Sequence, residues 1–198
     1  MRAAILDYGA GNLYSLARAV KAGGAEPIIT NDATEAVSCD ALLLPGVGAF
    51  GYAASFIDGA RDPITSALHN GMPCLGICLG MQLLFDTSEE GPGRGLGVIP
   101  GIVRRLDARR VPQIGWNDLE DVSEPAITSS GLATAFFANS YVCEPVDVSA
   151  VTGWATHEGD RFASSVRKRN IVGVQFHPEK SSTAGVAMIE AFLTEYRR

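Results

Sequence analysis

The stretch Pro73 to Gln82, P-C-L-G-I-C-L-G-M-Q, restricts what this chain can fold into more than any other. An apolar run through Gly76-Ile77-Cys78-Leu79-Gly80 passes straight into Met81-Gln82-Leu83-Leu84-Phe85, the pattern of a buried strand that turns at once into a helix. Cys78 falls on the turn. Small residues on both sides of it, G-x-C-x-G, permit a strained strand-to-helix elbow that presents a nucleophile, with the next backbone N–H facing the oxygen on which charge develops. A thiol there sits at the positive end of a helix, which favours the thiolate. From these residues alone Cys78 is either that nucleophile or one more buried small hydrophobe.

The flanking pattern sets the fold class. Ala3-Ala4-Ile5-Leu6-Asp7 reads as a first strand, and Asn12 as the cap of a helix with Leu13, Leu16, Ala17 and Val20 on one face, ended by Gly23-Gly24. Pro27 to Thr30 and Asp40 to Leu44 read as two further strands. Residues 52 to 69 read as a helix broken at Asp62-Pro63. Near-continuous apolar strands separated by helices predict an α/β protein, a three-layer, mostly parallel sheet with helices on both faces. Beyond Phe85 the segments 134 to 142, 148 to 155, 161 to 166 and 171 to 176 read as strands joined by turns, an antiparallel extension. A last helix starts at Ser181 as its cap. A length of 198 residues and 46% apolar composition predict one domain over residues 1–198.

Charge and cysteines narrow the function classes. Sixteen basic against 22 acidic residues, a net charge of -6, oppose a nucleic-acid backbone. The arginine-rich stretch Arg104 to Arg110 reads as a solvated face or a docking surface. No run of 18 apolar residues predicts a membrane span, and the N-terminus reads as a core strand with no leader, so a reduced, cytoplasmic protein is expected for the four cysteines. His69, His157 and His177 form no spaced metal cluster, and no metal is expected. Gly46-Val47-Gly48-Ala49-Phe50-Gly51 is formally G-x-G-x-x-G. Pro45 interrupts the strand-to-turn passage and the match falls at the third strand, so a dinucleotide cofactor is not expected. The same glycines suit the presentation of backbone N–H groups to an oxyanion.

A cysteine nucleophile needs an imidazole to take its proton and a group to orient that imidazole. Val174-Gln175-Phe176-His177-Pro178-Glu179-Lys180-Ser181 supplies both. Pro178 keeps His177 extended, which places His177 and Glu179, two apart, on one side. The order Cys, His, then acid two residues later differs from the hydrolase order, in which the acid precedes the histidine.

G-I-C-L-G-M-Q around Cys78, P-G-V-G at 45 to 48 and V-Q-F-H-P-E-K-S at 174 to 181 resemble the class I (triad) glutamine amidotransferases. D-Y-G-A-G-N-L at 7 to 13, G-L-G at 95 to 97 and I-G-W-N at 114 to 117 resemble the glutaminase subunits of imidazole glycerol phosphate synthases, of histidine biosynthesis. The resemblance covers essentially the whole chain. It implies a flavodoxin-like class I amidotransferase fold and a triad of Cys78, His177 and Glu179 that hydrolyses L-glutamine to glutamate and ammonia. It further implies an oxyanion site at the N–H of Leu79 and one from Val47-Gly48, with Gln82 and Glu90 holding the substrate's polar end. The ammonia would pass to a (β/α)8 cyclase subunit in a heterodimer, with Asn12, Pro112, Trp116 and Lys180 at or beside that interface. Two positions depart from the family pattern, Asn139 for a usual histidine and Ile114 for a usual methionine. Three rivals stand beside this reading: the glutaminase of another synthase, a general cysteine hydrolase, and a non-enzymatic redox or chaperone-like member of the fold.

Overall fold

The computed structural model describes residues 1–9 and 13–197. The expected cap and interface residue Asn12 lies outside the described residues. In chain order the elements are β1 (Arg2–Leu6), α1 (Leu13–Ala22), β2 (Glu26–Thr30), α2 (Ala33–Val37), β3 (Ala41–Leu44), α3 (Phe50–His69), β4 (Cys74–Ile77) and α4 (Leu79–Gln82). The second half adds β5 (Thr87–Ser88), β6 (Gly101–Arg105), β7 (Gln113–Asp118), α5 (Pro125–Ser130), β8 (Thr134–Asn139) and β9 (Tyr141–Pro145). It closes with β10 (Val151–His157), β11 (Asp160–Lys168), β12 (Ile171–Val174) and α6 (Ser182–Glu195).

Seven strands form the main sheet in the order β10-β11-β12-β4-β3-β1-β2. The five from β12 to β2 are parallel, and β10 and β11 extend it antiparallel. Strand periodicity explains why both faces are covered. Ala4, Leu6, Leu42 and Leu44 point to one apolar core with Phe50, Ile57, Ile64 and Leu68 of α3, whereas Ala3, Ile5, Ala41 and Leu43 point to another with Leu16, Val20, Ile189 and Phe192 of α1 and α6. Each fully buried leucine or isoleucine in these layers contributes about 1.5–3 kcal/mol of transfer free energy, so two apolar faces per strand require two helical layers. The remaining strands form a three-stranded sheet, β5-β6-β9, and the ribbon β7-β8. No helix among the described residues is long and apolar enough to cross a membrane.

The α/β class, the mostly parallel sheet and the antiparallel second half agree with the sequence reading; several details do not. α2 is an added short helix between β2 and β3, capped by Asp32, whose side chain accepts from the Thr34 N–H at 2.7 Å. α3 runs through Pro63 without a break. The proline faces solvent, and the stripe Ile57, Ala60, Ile64 and Leu68 stays buried throughout. α4 is a single turn, not a helix to Phe85, because the carbonyls of Leu83, Leu84 and Phe85 accept from Leu96, Ile99 and Gly97 of the following loop. The strand expected over 134 to 142 is two strands that part at Ser140, β8 pairing with β7 and β9 with β6. Residues 148 to 150 form a 3₁₀ turn ahead of β10. Ser181 stands at the start of α6 but does not cap it. Its hydroxyl donates to the His177 carbonyl at 2.7 Å and accepts the Phe136 N–H at 2.9 Å.

Arg104 accounts for part of the arginine-rich stretch: it makes a bidentate pair with Asp160 at 2.7 and 2.8 Å and reaches Glu144 at 3.0 Å. Its guanidinium holds the Asp160 carboxyl below the usual carboxylate range. A second ion pair is buried, Arg167 with the wholly enclosed Glu124 at 2.7 Å.

Two glycines give opposite expectations for one chemical change. A Cβ on Gly59, inside α3, meets nothing within 4 Å, whereas a Cβ on Gly80 would stand 2.0 Å from the Leu44 carbonyl oxygen. Gly59→Ala is expected to raise the unfolding free energy by about 0.5–1 kcal/mol. Gly80→Ala is expected to lower it by about 1–3 kcal/mol, through overpacking against backbone. Urea unfolding of the two variants measures both.

Candidate active site

The elbow forms because three glycines let backbones meet where side chains could not. Gly76 ends its approach against the Gly80 carbonyl, Gly80 against Leu44 of β3, and Gly46 against the Ile77 carbonyl and the Cys78 Cβ, with added Cβ atoms falling at 2.7, 2.0 and 2.5 Å from the nearest backbone oxygens. Squeezed between them, Cys78 adopts φ 48° and ψ -104°, a conformation that costs a non-glycine residue about 1–3 kcal/mol and persists only where packing enforces it. Its N–H donates to the Val174 carbonyl at 2.7 Å, which locks the elbow to β12. Cys78 is 6% exposed. Because α4 is one turn, its contribution to a charge on sulfur comes from the N–H groups of that turn and not from a long helix dipole.

β12 delivers the imidazole. The His177 N–H donates to the Phe136 carbonyl of β8 at 2.8 Å, and Ser181 holds the His177 carbonyl. His177 itself is extended, as the following proline requires, but Pro178–Lys180 then forms a 3₁₀ turn and not a straight continuation. Glu179 still reaches back, its Oε1 lying 2.9 Å from His177 Nδ1. His177 and Cys78 line the same cavity, and the imidazole feels the Cys78 sulfur. Burial pulls the imidazole down, but hydrogen bonds with Cys78 and Glu179, and their charge, outweigh it and push His177 up to about 9. The site thus assembles a cysteine sulfur, an imidazole held protonated through neutral pH, and a carboxylate against that imidazole.

Cys78 and His177 open on a cavity of about 230 Å³, with Glu179 behind the ring. Gly46, Val47, Gly48, Leu79, Gln82 and Glu90 line it, together with Pro112 and Lys180 at the rim and Asn139 on the β8 side. Gly48 has φ +138°, open to glycine and rare for other residues, so the peptide beside it can take an orientation closed to them. The Tyr8 hydroxyl donates to the Pro45 carbonyl and tethers this loop to the end of β1. Gln82 is buried, its Nε2 3.2 Å from the Tyr141 carbonyl. Glu90, a loop charge in the sequence, accepts the Phe50 N–H at the start of α3 at 2.9 Å, which fixes its carboxylate at the cavity wall. Trp116 is 57% exposed beside the edge of Phe136, a surface residue and not local core. It does not line the cavity; Asn12 is not described.

Sequence reasoning passed over two polar residues of this region. Gln175 is wholly buried and donates from Nε2 to Cys78 Sγ at 3.4 Å. The available signal was a carboxamide two positions before His177 in an apolar run, hence on the same side of the strand. Gln113 pairs across the ribbon with Asn139, both buried, and its signal was alternation in β7. A larger cavity, about 440 Å³, lies at the opposite end of the sheet, beside Met1, Asp40, Pro73 and Asn170, which precede the parallel strands, so it is remote from Cys78. Among the described residues no group of His, Cys, Asp and Glu is arranged to hold a metal ion.

The raised His177 value has a definite sign. A group raised on folding contributes stability that is complete below its unfolded-state value, near 6.5, and is lost as pH rises through about 9. Ring ¹⁵N resonances of His177 are expected to remain those of the imidazolium at pH 7 and to titrate near 9. Glu179→Gln is expected to lower that midpoint by about one unit.

The chain matches the glutamine amidotransferase class-I family over residues 4–196. It is 41% identical over 196 residues to imidazole glycerol phosphate synthase subunit HisH of Chlorobium luteolum, covering 95% of this chain and 97% of that one. The HisH subunit of Gloeothece citriformis is 39% identical over 203 residues, with 98% and 96% covered. Among solved structures, a glutamine amidotransferase superposes with a TM-score of 0.77 at 21% identity, covering 98% of each chain. PurLQS from Thermotoga maritima superposes with 0.75 at 19%, covering 99% of each. These two share the fold. The chain belongs to the class-I glutamine amidotransferase family, on the branch that carries imidazole glycerol phosphate synthase subunit HisH.

Proposed function

We propose that this chain is the glutaminase subunit of an imidazole glycerol phosphate synthase and that Cys78, His177 and Glu179 are its catalytic triad. One observation carries the reading: a cysteine forced into an elbow at φ 48° shares a cavity with a histidine whose Nδ1 lies 2.9 Å from a carboxylate. The Cys78 thiolate adds to the carboxamide carbon of L-glutamine, and the carbonyl oxygen takes the negative charge. The N–H of Leu79 and one from Val47-Gly48 receive that oxyanion. His177 gives its proton to the departing nitrogen, ammonia leaves, and a γ-glutamyl thioester remains. Water, deprotonated by His177, attacks the thioester; the thiolate leaves, and glutamate is released. Glu179 keeps the imidazole oriented throughout. Gln82 and Glu90 bind the polar end of the substrate, both being fixed at the cavity wall.

Ammonia is useful only if a second active site consumes it, and the whole chain reads as one amidotransferase domain. The partner is a (β/α)8 cyclase subunit, which uses the ammonia to form imidazole glycerol phosphate and an aminoimidazole carboxamide ribonucleotide, in the cytoplasm. Support for its docking face comes from β7, where Ile114 and Trp116 stand 71% and 57% exposed on one side of the ribbon, next to Pro112 and Lys180 at the cavity rim. Asn12 belongs to the same face by resemblance. Likeness to the HisH subunits of Chlorobium luteolum and Gloeothece citriformis supports the partner assignment.

Cys78→Ala is expected to lower glutamate release from glutamine by about 10⁶-fold, and Glu179→Ala to cause a loss about 10- to 100-fold smaller, because orientation is worth less than the nucleophile. A Cys78→Ala protein that keeps its turnover would place the nucleophile elsewhere. Glutamate release should rise strongly only when the cyclase subunit and its nucleotide ligand are both present, and Trp116→Ala should weaken cyclase binding by about 30-fold or more, as loss of a central aromatic anchor does. Turnover indifferent to the cyclase would assign the chain to a different synthase.

A further inference from the structure

Cys78 is almost enclosed, and a thiolate held away from water needs hydrogen-bond donors in compensation. The His177 imidazole, which lines the same cavity, supplies charge. The titratable or charged groups that face Cys78 or its cavity are His177 after β12, with Glu179 behind it, Tyr8 after β1, Tyr141 and Cys143 on β9, and Glu90 and Lys180 at the cavity wall. Burial pushes both the Tyr8 hydroxyl and the Cys143 thiol up, so neither brings a charge near the sulfur at neutral pH. The donor within hydrogen-bond distance is neutral: Gln175 Nε2 lies 3.4 Å from Cys78 Sγ, and Gln175 is wholly buried.

The orientation of that carboxamide is imposed from behind. Gln82 Nε2 donates to Gln175 Oε1 at 3.4 Å, so turning the Gln175 amide over would set a carbonyl oxygen against the sulfur and two NH₂ groups against each other. Gln82 is itself held by the Tyr141 carbonyl at 3.2 Å, an acceptor shared with Asn139 Nδ2 at 3.1 Å. The Gln175 backbone is fixed by its N–H bond to the Ser164 carbonyl at 2.9 Å. Gln175 and His177 stand two apart on an extended segment, the first bonded to the sulfur and the second lining the cavity on which that sulfur opens. We infer that Gln175 is a positioning residue for the nucleophile, whose carboxamide, oriented by Gln82, donates to the Cys78 sulfur, stabilises the thiolate and holds it toward the substrate carbon.

This inference rests on the reading of Cys78 as nucleophile, but its test does not depend on glutamine turnover. Alkylation of Cys78 by iodoacetamide, located by mass spectrometry in the intact chain, reports thiolate directly. Gln175→Met keeps the volume and removes the donor. Its alkylation is expected to be about tenfold slower than wild type at pH 7 and to recover to within about twofold at pH 10, where thiols ionise without help. Gln175→Glu, of the same shape with an acceptor in place of the donor, should be slower still at pH 7.

A folded Gln175→Met protein that alkylates at the wild-type rate at pH 7 overturns the inference. So does a loss that persists at pH 10, which would show a displaced sulfur and a structural role. If neither variant folds, the side-chain amide protons of Gln175 in the wild-type chain must shift with pH and lose that shift in Cys78→Ala; an amide indifferent to pH overturns the inference equally. If the alkylation pattern holds but the chain releases no glutamate with or without a cyclase, the positioning role stands and the amidotransferase reading of this site falls.

Discussion

The contact of backbone on backbone around Cys78 is what the site depends on. Gly80 lies against the Leu44 carbonyl, Gly76 against the Gly80 carbonyl and Gly46 against that of Ile77, so β3, β4 and α4 close on one another without intervening side chains. The energy that holds Cys78 at positive φ comes from the two apolar layers on either side of these strands, where Leu42, Leu43, Leu44, Leu75 and Ile77 are fully buried or nearly so. A strain of about 1–3 kcal/mol is small beside that burial, which is why a fold of this kind can keep one residue in an unfavourable conformation.

The parallel order of the sheet then sets the chemistry. β12 lies beside β4, so the chain leaving β12 passes the elbow at its own level, and the Cys78 N–H bonds to Val174 at the point where the two strands end. From there the extended backbone gives Gln175 and His177 the same side and sends Phe176 into the core. A neutral donor and an imidazole therefore approach one sulfur from a three-residue segment. The 3₁₀ turn that follows brings Glu179 back to Nδ1, and Ser181, by holding the His177 carbonyl, keeps that turn in register with β8.

The added strands serve the cavity more than the core. The carbonyls after α4 are taken by the 95–99 loop, which ends the helix after one turn and leaves Glu90 to close on the start of α3. Ser140 is the point where one extended stretch changes partners, from β7 to β6, and Asn139 and Tyr141 on either side of it meet at the cavity wall. At position 139 the wall carries an amide, whose Nδ2 donates to the Tyr141 carbonyl at 3.1 Å.

Local composition by itself determined a good deal. Apolar runs such as Ala41-Leu44 and Cys74-Ile77, bounded by turn residues, read as strands buried on both faces, the glycine spacing around Cys78 permits close backbone approach, and Pro178 disfavours a helical His177. These are consequences of sterics and hydrophobic pattern within a few residues. The continuity of α3 through Pro63, the early end of α4 and the division at Ser140 were illegible, because each depends on which distant group accepts or covers a backbone: solvent beside Gly59, the 96–99 amides, a new strand partner. The same holds for Gln175 and Glu90. A carboxamide in an apolar run and a carboxylate in a loop acquire their roles only when tertiary packing brings a sulfur to one and a helix N-terminus to the other, over 97 and 40 residues of chain.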